Sequence, residues 1–118
     1  DIRELLLHFS KEIFDEIFIL YPDPWPKARH KKRRILNYNN LNLFLSKLKT
    51  NGKIFIATDV KEYFDSIYDL FACNANVKII NTNNFYLRPN KIISTRYEKK
   101  ALNRKIKPLY LEVKKILD

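Results

Sequence analysis

The run Phe14-Asp15-Glu16-Ile17-Phe18-Ile19-Leu20-Tyr21 leads directly into Pro22-Asp23-Pro24-Trp25-Pro26-Lys27-Ala28-Arg29-His30-Lys31-Lys32-Arg33-Arg34. Ile17-Phe18-Ile19-Leu20 is solidly apolar, as suits a strand buried on both faces of a parallel sheet. Three prolines within the five residues from Pro22 to Pro26 then stop the strand and stiffen the chain beyond it. Asp23 is therefore expected on a rigid loop at a strand's carboxyl end, the rim where open α/β sheets bind ligands. Eight residues come next, Lys27 to Arg34, of which six are Lys or Arg.

Outward from this stretch the pattern alternates. Apolar residues at Ile2, Leu5, Leu6 and Phe9 predict a short helix. Downstream, Leu41, Phe44, Leu45 and Leu48 form the i, i+3, i+4, i+7 stripe of a helix over 35–49. Asn51-Gly52 would end it, with Gly52 as its cap. A strand is expected over 53–59 around Ile54-Phe55-Ile56-Ala57, then a helix over 61–71 and a strand over 77–81. Residues 83–90, rich in Asn and closed by Pro89-Asn90, read as loop. Lys99 to Lys107 is polar with five basic residues, and no helix stands out there. A final strand is expected over 109–115, where Leu109, Leu111 and Val113 alternate with Tyr110, Glu112 and Lys114. Alternation of helix and strand predicts an α/β domain with a mostly parallel sheet and a terminal antiparallel strand.

The 118 residues suffice for one domain, and 46% apolar content argues against wholesale disorder. The net charge of +10, with a pI near 9.7, favours a polyanionic partner: nucleic acid first, an acidic membrane surface second. No apolar run approaches the roughly 20 residues of a membrane span, and no signal-peptide pattern opens the chain. A single cysteine, Cys73, makes no internal disulfide, nothing suggests a metal cluster, and a reducing cytoplasm fits. The chain has no Met and one glycine, Gly52. A Rossmann-like cofactor domain needs a Gly-rich turn after its first strand. Either this is not a nucleotide-type cofactor domain or the half bearing that turn is missing; the expectation is that residues 1–118 are the carboxyl-terminal part of a single domain whose amino-terminal, cofactor-binding half is missing.

Asp23 and Asp59 both end a predicted strand, so neighbouring parallel strands would bring them to one rim. Either could instead be a helix N-cap or a turn former. Trp25 could stack on a base or close the core beneath its loop. His30, among cations, could serve as a base or touch a phosphate. Cys73 reads as an apolar filler. The basic block admits a solvated helix entry, a phosphate-binding surface or a targeting signal; crowded like charges beside Asp23 favour phosphate.

Pro22 to Arg34 resembles the signature of the bacterial tRNA (guanine-N7-)-methyltransferases, roughly Pro-Asp-Pro-Trp-x-Lys-x-Arg-His-x-Lys-Arg-Arg, at every fixed position. Thr58-Asp59 is similar to that family's Thr-Asp at a later strand end, and Thr95-Arg96-Tyr97-Glu98 to its Thr-x-(Phe/Tyr)-Glu motif. Asp1 stands where the family has an Asp that contacts the cofactor, though Ile2 replaces the usual Ala. The resemblance implies a Rossmann-like class I methyltransferase sheet, of which this chain supplies the fourth to seventh strands. It implies S-adenosylmethionine as cofactor and tRNA as partner, with methylation of guanine N7 at position 46 of the variable loop. It makes Asp23 the active-site carboxylate, with Asp1 and Asp23 bordering the cofactor. Lys27, Asp59, Thr95, Arg96, Tyr97 and Glu98 would bind substrate; Arg29, His30, Lys31, Lys32, Arg33 and Arg34 would contact RNA. No metal and no membrane are implied. A non-catalytic basic RNA-binding module and an inactive truncated fragment of such an enzyme are the alternatives.

Overall fold

The computed structural model describes residues 2–9, 11–93 and 96–117, with Tyr97 described by its backbone only. Helix α1 spans Ile2–Leu7 and strand β1 Phe14–Leu20. The basic block forms a 3-10 helix, Ala28–Arg33, and α2 comes after it at Tyr38–Lys47. Then come β2 (Leu48–Thr58), α3 (Lys61–Ala72), β3 (Val77–Ile79), α4 (Arg96–Asn103) and β4 (Leu109–Lys115).

The sheet order is β1-β2-β4-β3. β1 and β2 run parallel, with Leu20 opposite Ala57. β4 runs antiparallel to both of its neighbours, β2 and β3. Three strands thus share one direction and the last is reversed, as expected of an α/β sheet. The reversed strand ends the chain order, yet it lies inside the sheet and not at its edge.

Ile54 and Ile56 on β2, with Leu111 and Val113 on β4, face one way onto Leu41, Phe44 and Leu45 of α2 and Tyr63, Ile67 and Phe71 of α3. Phe55, Ala57 and Tyr110 face the other way, onto Ile92. This strand alternation puts successive side chains on opposite faces. β2 is buried on both sides along Ile54–Thr58. β1 differs from its expectation: only Ile19 is buried, and Phe18 stays 43% exposed while stacking on Phe55. Its place at the end of the sheet order gives it one neighbour instead of two.

Two further expectations are corrected. The helix predicted to 49 ends at Lys47, because Leu48 already has extended backbone (φ −91°, ψ 132°). Gly52 is not its cap. Asn51 takes the left-handed conformation (φ 70°), whereas a Cβ on Gly52 would lie 2.7 Å from the Lys49 carbonyl and 2.9 Å from that of Asp15. Glycine is needed there for space. α4, Arg96–Asn103, runs into the segment over 99–107 in which no helix stands out from the sequence. Its burial is carried by Ala101 and Glu98, too sparse a stripe to show as apolar periodicity.

Candidate active site

The parallel pairing of β1 and β2 sets the rim. Tyr21 N donates to Ala57 O at 2.7 Å, so the two strands reach their carboxyl ends side by side. Asp23 lies just beyond β1 and is exposed; Asp59 lies just beyond β2 and is half-buried. Neither caps a helix. Lys27 holds the N-cap position of the 3-10 helix, and Val60 that of α3. The turn into α3 is made by Thr58, whose Oγ1 accepts from Val60 N at 3.2 Å. Asp59 faces Arg104, just beyond α4, at 3.6 Å.

The loop bearing Asp23 is strained. Tyr21 (φ 54°) and Trp25 (φ 39°) both have left-handed backbone, which aromatic residues seldom adopt. Such conformations cost about 1–3 kcal/mol each and persist where surrounding contacts dictate them. Arg34 supplies such contacts. Its Nε donates to the Pro24 carbonyl at 2.6 Å, and its Nη2 to Glu62 Oε2 at 2.5 Å. Its guanidinium lies 4.4 Å over the Tyr63 ring, and the side chain is 4% exposed. Tyr63 accepts from Leu36 N through its hydroxyl at 3.1 Å. Burial raises that hydroxyl's pKa, and the nearby Asp23 charge adds to the shift. Hydrogen bonds from Arg34 and then Lys31 lower the Glu62 carboxyl to about 2.

The rest of the basic block is exposed or half-exposed. Lys31 Nζ reaches Glu62 Oε1 at 2.7 Å, and Arg33 lies 5.2 Å over the Trp25 ring. His30 Nε2 accepts from Arg29 Nε at 3.3 Å, and its ring meets the Trp25 ring edge-on at 5.7 Å. Trp25 is half-buried and joins neither of the described core clusters. Lys27, Arg29, Lys32 and Arg33 present their charges outward.

Across the rim, Glu98 on α4 is 9% exposed. It accepts from the Tyr110 hydroxyl at 2.8 Å and faces Arg88 Nε at 3.5 Å. Burial first, then hydrogen bonding to Glu98 and Tyr21, pushes the Tyr110 hydroxyl well above the ordinary tyrosine range. Arg96 is exposed. Asp1, Thr95 and the Tyr97 side chain lie outside the described residues. Asp23, Asp59, Lys27 and Glu98 are thus all carried by segments at the carboxyl ends of β1 and β2 or by the α4 segment entering β4 beside them. Glu62, Tyr63, Arg88, Arg104 and Tyr110 do not stand out in the sequence as site residues. Glu62 stands 28 positions from Arg34, so no local spacing announces their contact. A cleft of about 880 Å³ lies between α2 and α3 with Lys31, Arg34 and Glu62 in its wall; neither Asp23 nor Asp59 lines it.

A family model described as "Putative methyltransferase" matches residues 1–110. The chain belongs to this methyltransferase family. Among its relatives, a "Bifunctional methyltransferase" of Rickettsia conorii is 39% identical over 114 residues, 96% of this chain and 22% of that protein. A "tRNA (guanine-N(7)-)-methyltransferase" of Wolbachia pipientis wMel is 36% identical over 116 residues, 96% of this chain and 49% of that protein. The chain therefore spans about a fifth to a half of these relatives' lengths. A solved SAM-dependent O-methyltransferase from Thermotoga maritima superposes with a TM-score of 0.49 at 15% identity, over 100% of this chain and 38% of that one.

The exposed Asp23 carboxylate suits a cationic group at the rim. A glycine-lined cradle is not among the described residues: Gly52 lies toward the opposite end of β2, with its Cβ position filled by backbone.

Proposed function

We propose that the native protein methylates N7 of a guanine in tRNA, at position 46 of the variable loop, with S-adenosylmethionine as donor. The observation that carries this is Asp23, held in a strained, proline-rich loop at the end of a parallel strand, with a cationic 3-10 helix directly after it. The names of the tRNA-modifying relatives support the same reading.

Guanine N7 carries a free lone pair, so no base is needed to deprotonate it. The donor supplies an electrophilic methyl group on sulfur. Methylation at N7 would leave the purine ring positively charged. The chain's task is to position the base and stabilise that charge. Asp23, accepting from guanine N1–H or N2–H, does both. Glu98, oriented by Tyr110 and Arg88, and Asp59, faced by Arg104, stand to share the base contact. Lys27, Arg29, Lys32 and Arg33 present outward charge to RNA phosphates.

The test is transfer of labelled methyl from S-adenosylmethionine to unmodified tRNA by the native protein, with nucleoside analysis of the product. Label in 7-methylguanosine at the variable loop is expected. Tight tRNA binding with no methyl transfer would leave a non-catalytic RNA-binding module instead.

A further inference from the structure

We infer that Arg34, the last cation of the basic block, is a positioning residue that latches the Asp23 loop to α3 and is not a phosphate contact. The inference rests on the proposed role of Asp23 as the active-site carboxylate.

The loop cannot tie itself down. Pro22, Pro24 and Pro26 each lack an N–H. Among the described residues, no hydrogen bond between main-chain groups involves positions 22–26. Yet two residues of this stretch or its border, Tyr21 and Trp25, hold left-handed backbone. A side chain must therefore supply the restraint. Arg34 reaches the carbonyl of Pro24, between Asp23 and Trp25, at 2.6 Å. The other end of its guanidinium grips both carboxylate oxygens of Glu62, at 2.5 and 3.4 Å. Glu62 belongs to the first turn of α3, whose Tyr63, fully buried, lies beneath the guanidinium. The latch thus joins the Asp23 side of the rim to the core.

The same geometry removes Arg34 from RNA. At 4% exposure its fork is filled by Pro24, Glu62 and Tyr63, and a phosphate would have to displace them. Lys31 is drawn to the same carboxylate but remains exposed. A planar fork is required here, because one donor points at Pro24 while another points at Glu62; lysine keeps the charge and cannot make that pair of contacts.

Arg34→Lys in the native protein therefore separates the two roles. The latch predicts a kcat lowered by about 10- to 100-fold, as for misplacement of a catalytic group. It also predicts a KM for tRNA and a salt slope of binding within error of wild type. Glu62→Gln, at an exposed carboxylate, serves if the lysine variant does not fold, and should lower kcat in the same direction by less. The Trp25 emission, isolated by difference against Trp25→Phe, should shift and become easier to quench in both variants. Wild-type kcat in both variants overturns the inference. So does Arg34→Ala lowering the salt slope by about one phosphate's worth. If wild type transfers no methyl to guanine N7, the proposed function fails; Trp25 emission then judges the latch alone, and an unchanged spectrum in both variants rejects it.

Discussion

Tyr110 lies opposite Ala57 in the β2–β4 ladder and sends its hydroxyl to the buried Glu98 at 2.8 Å. The motif Thr95 to Glu98 marks Glu98 in the sequence, but its partner is 12 positions away on a strand whose alternation casts Tyr110 as an outward residue. Alternation names two faces and not which is covered; here Ile92 packs on the second face and Glu98 of α4 takes the hydroxyl, so Tyr110 is buried as well. Removing the hydroxyl strips a buried carboxylate of a donor. Tyr110→Phe should destabilise the native protein by about 1–3 kcal/mol, read as a lower urea midpoint at constant slope. An unchanged midpoint would mean that water or Arg88 replaces the bond. Asp23's place just beyond β1 is legible at this scale because it sits inside one continuous motif. Glu62 and Arg104 are not, because their roles exist only after α3 and α4 fold onto the rim.

At the scale of elements, the apolar runs are legible and their ends less so. β4 matches its expected range, and α3 nearly so, because strand alternation and a full helical stripe leave little freedom. The early end of α2 and the presence of α4 are not legible, because contacts with distant side chains do not show in local pattern. Lys115 makes such a contact: buried, it donates to the carbonyls of Leu45 and Leu48 at 2.8 Å each and to Glu12 at 2.9 Å. It closes the carboxyl end of α2, where carbonyls lack helical partners and a cation is favoured. Lys115→Met should leave those acceptors unpaired and lower stability by about 1–3 kcal/mol, measurable by the same denaturation. The latch between the loop and α3 also has a pH signature. Glu62's folded pKa, about 2, lies below its ordinary 4.5, so its ionised form favours the folded state. That contribution is complete above pH 4.5 and is lost as pH falls toward 2. The stability difference between wild type and Glu62→Gln should thus stay constant from about pH 8 to about pH 5 and shrink at more acidic pH. A difference that grows on acidification would contradict the sign.

Over the whole molecule, the excess of 10 positive charges is not spread evenly in function. Arg34 is consumed inside the fold and Lys31 partly so, while Lys27, Arg29, Lys32 and Arg33 remain outward beside the carboxylate rim. Composition points to a polyanionic partner; only the folded arrangement tells which cations are available to it. Replacing Lys32 or Arg29 by Ala should reduce the slope of log K against log salt by about 0.7 to 0.9 for each phosphate no longer neutralised. Equal slopes would remove that residue from the interface. No described helix is long and apolar enough to cross a membrane. The α/β class and the shared rim of Asp23 and Asp59 can be read from the chain, and the parallel pairing of β1 with β2 carries both. The central claim is that Asp23 acts on the acceptor of the transferred methyl group and not on RNA capture. The most direct measurement is single-turnover methyl transfer by Asp23→Ala in the native protein, with tRNA affinity determined on the same sample. A rate lower by about 100-fold or more with affinity within about twofold of wild type is the predicted result. A wild-type rate, or loss of rate and affinity together, would contradict it.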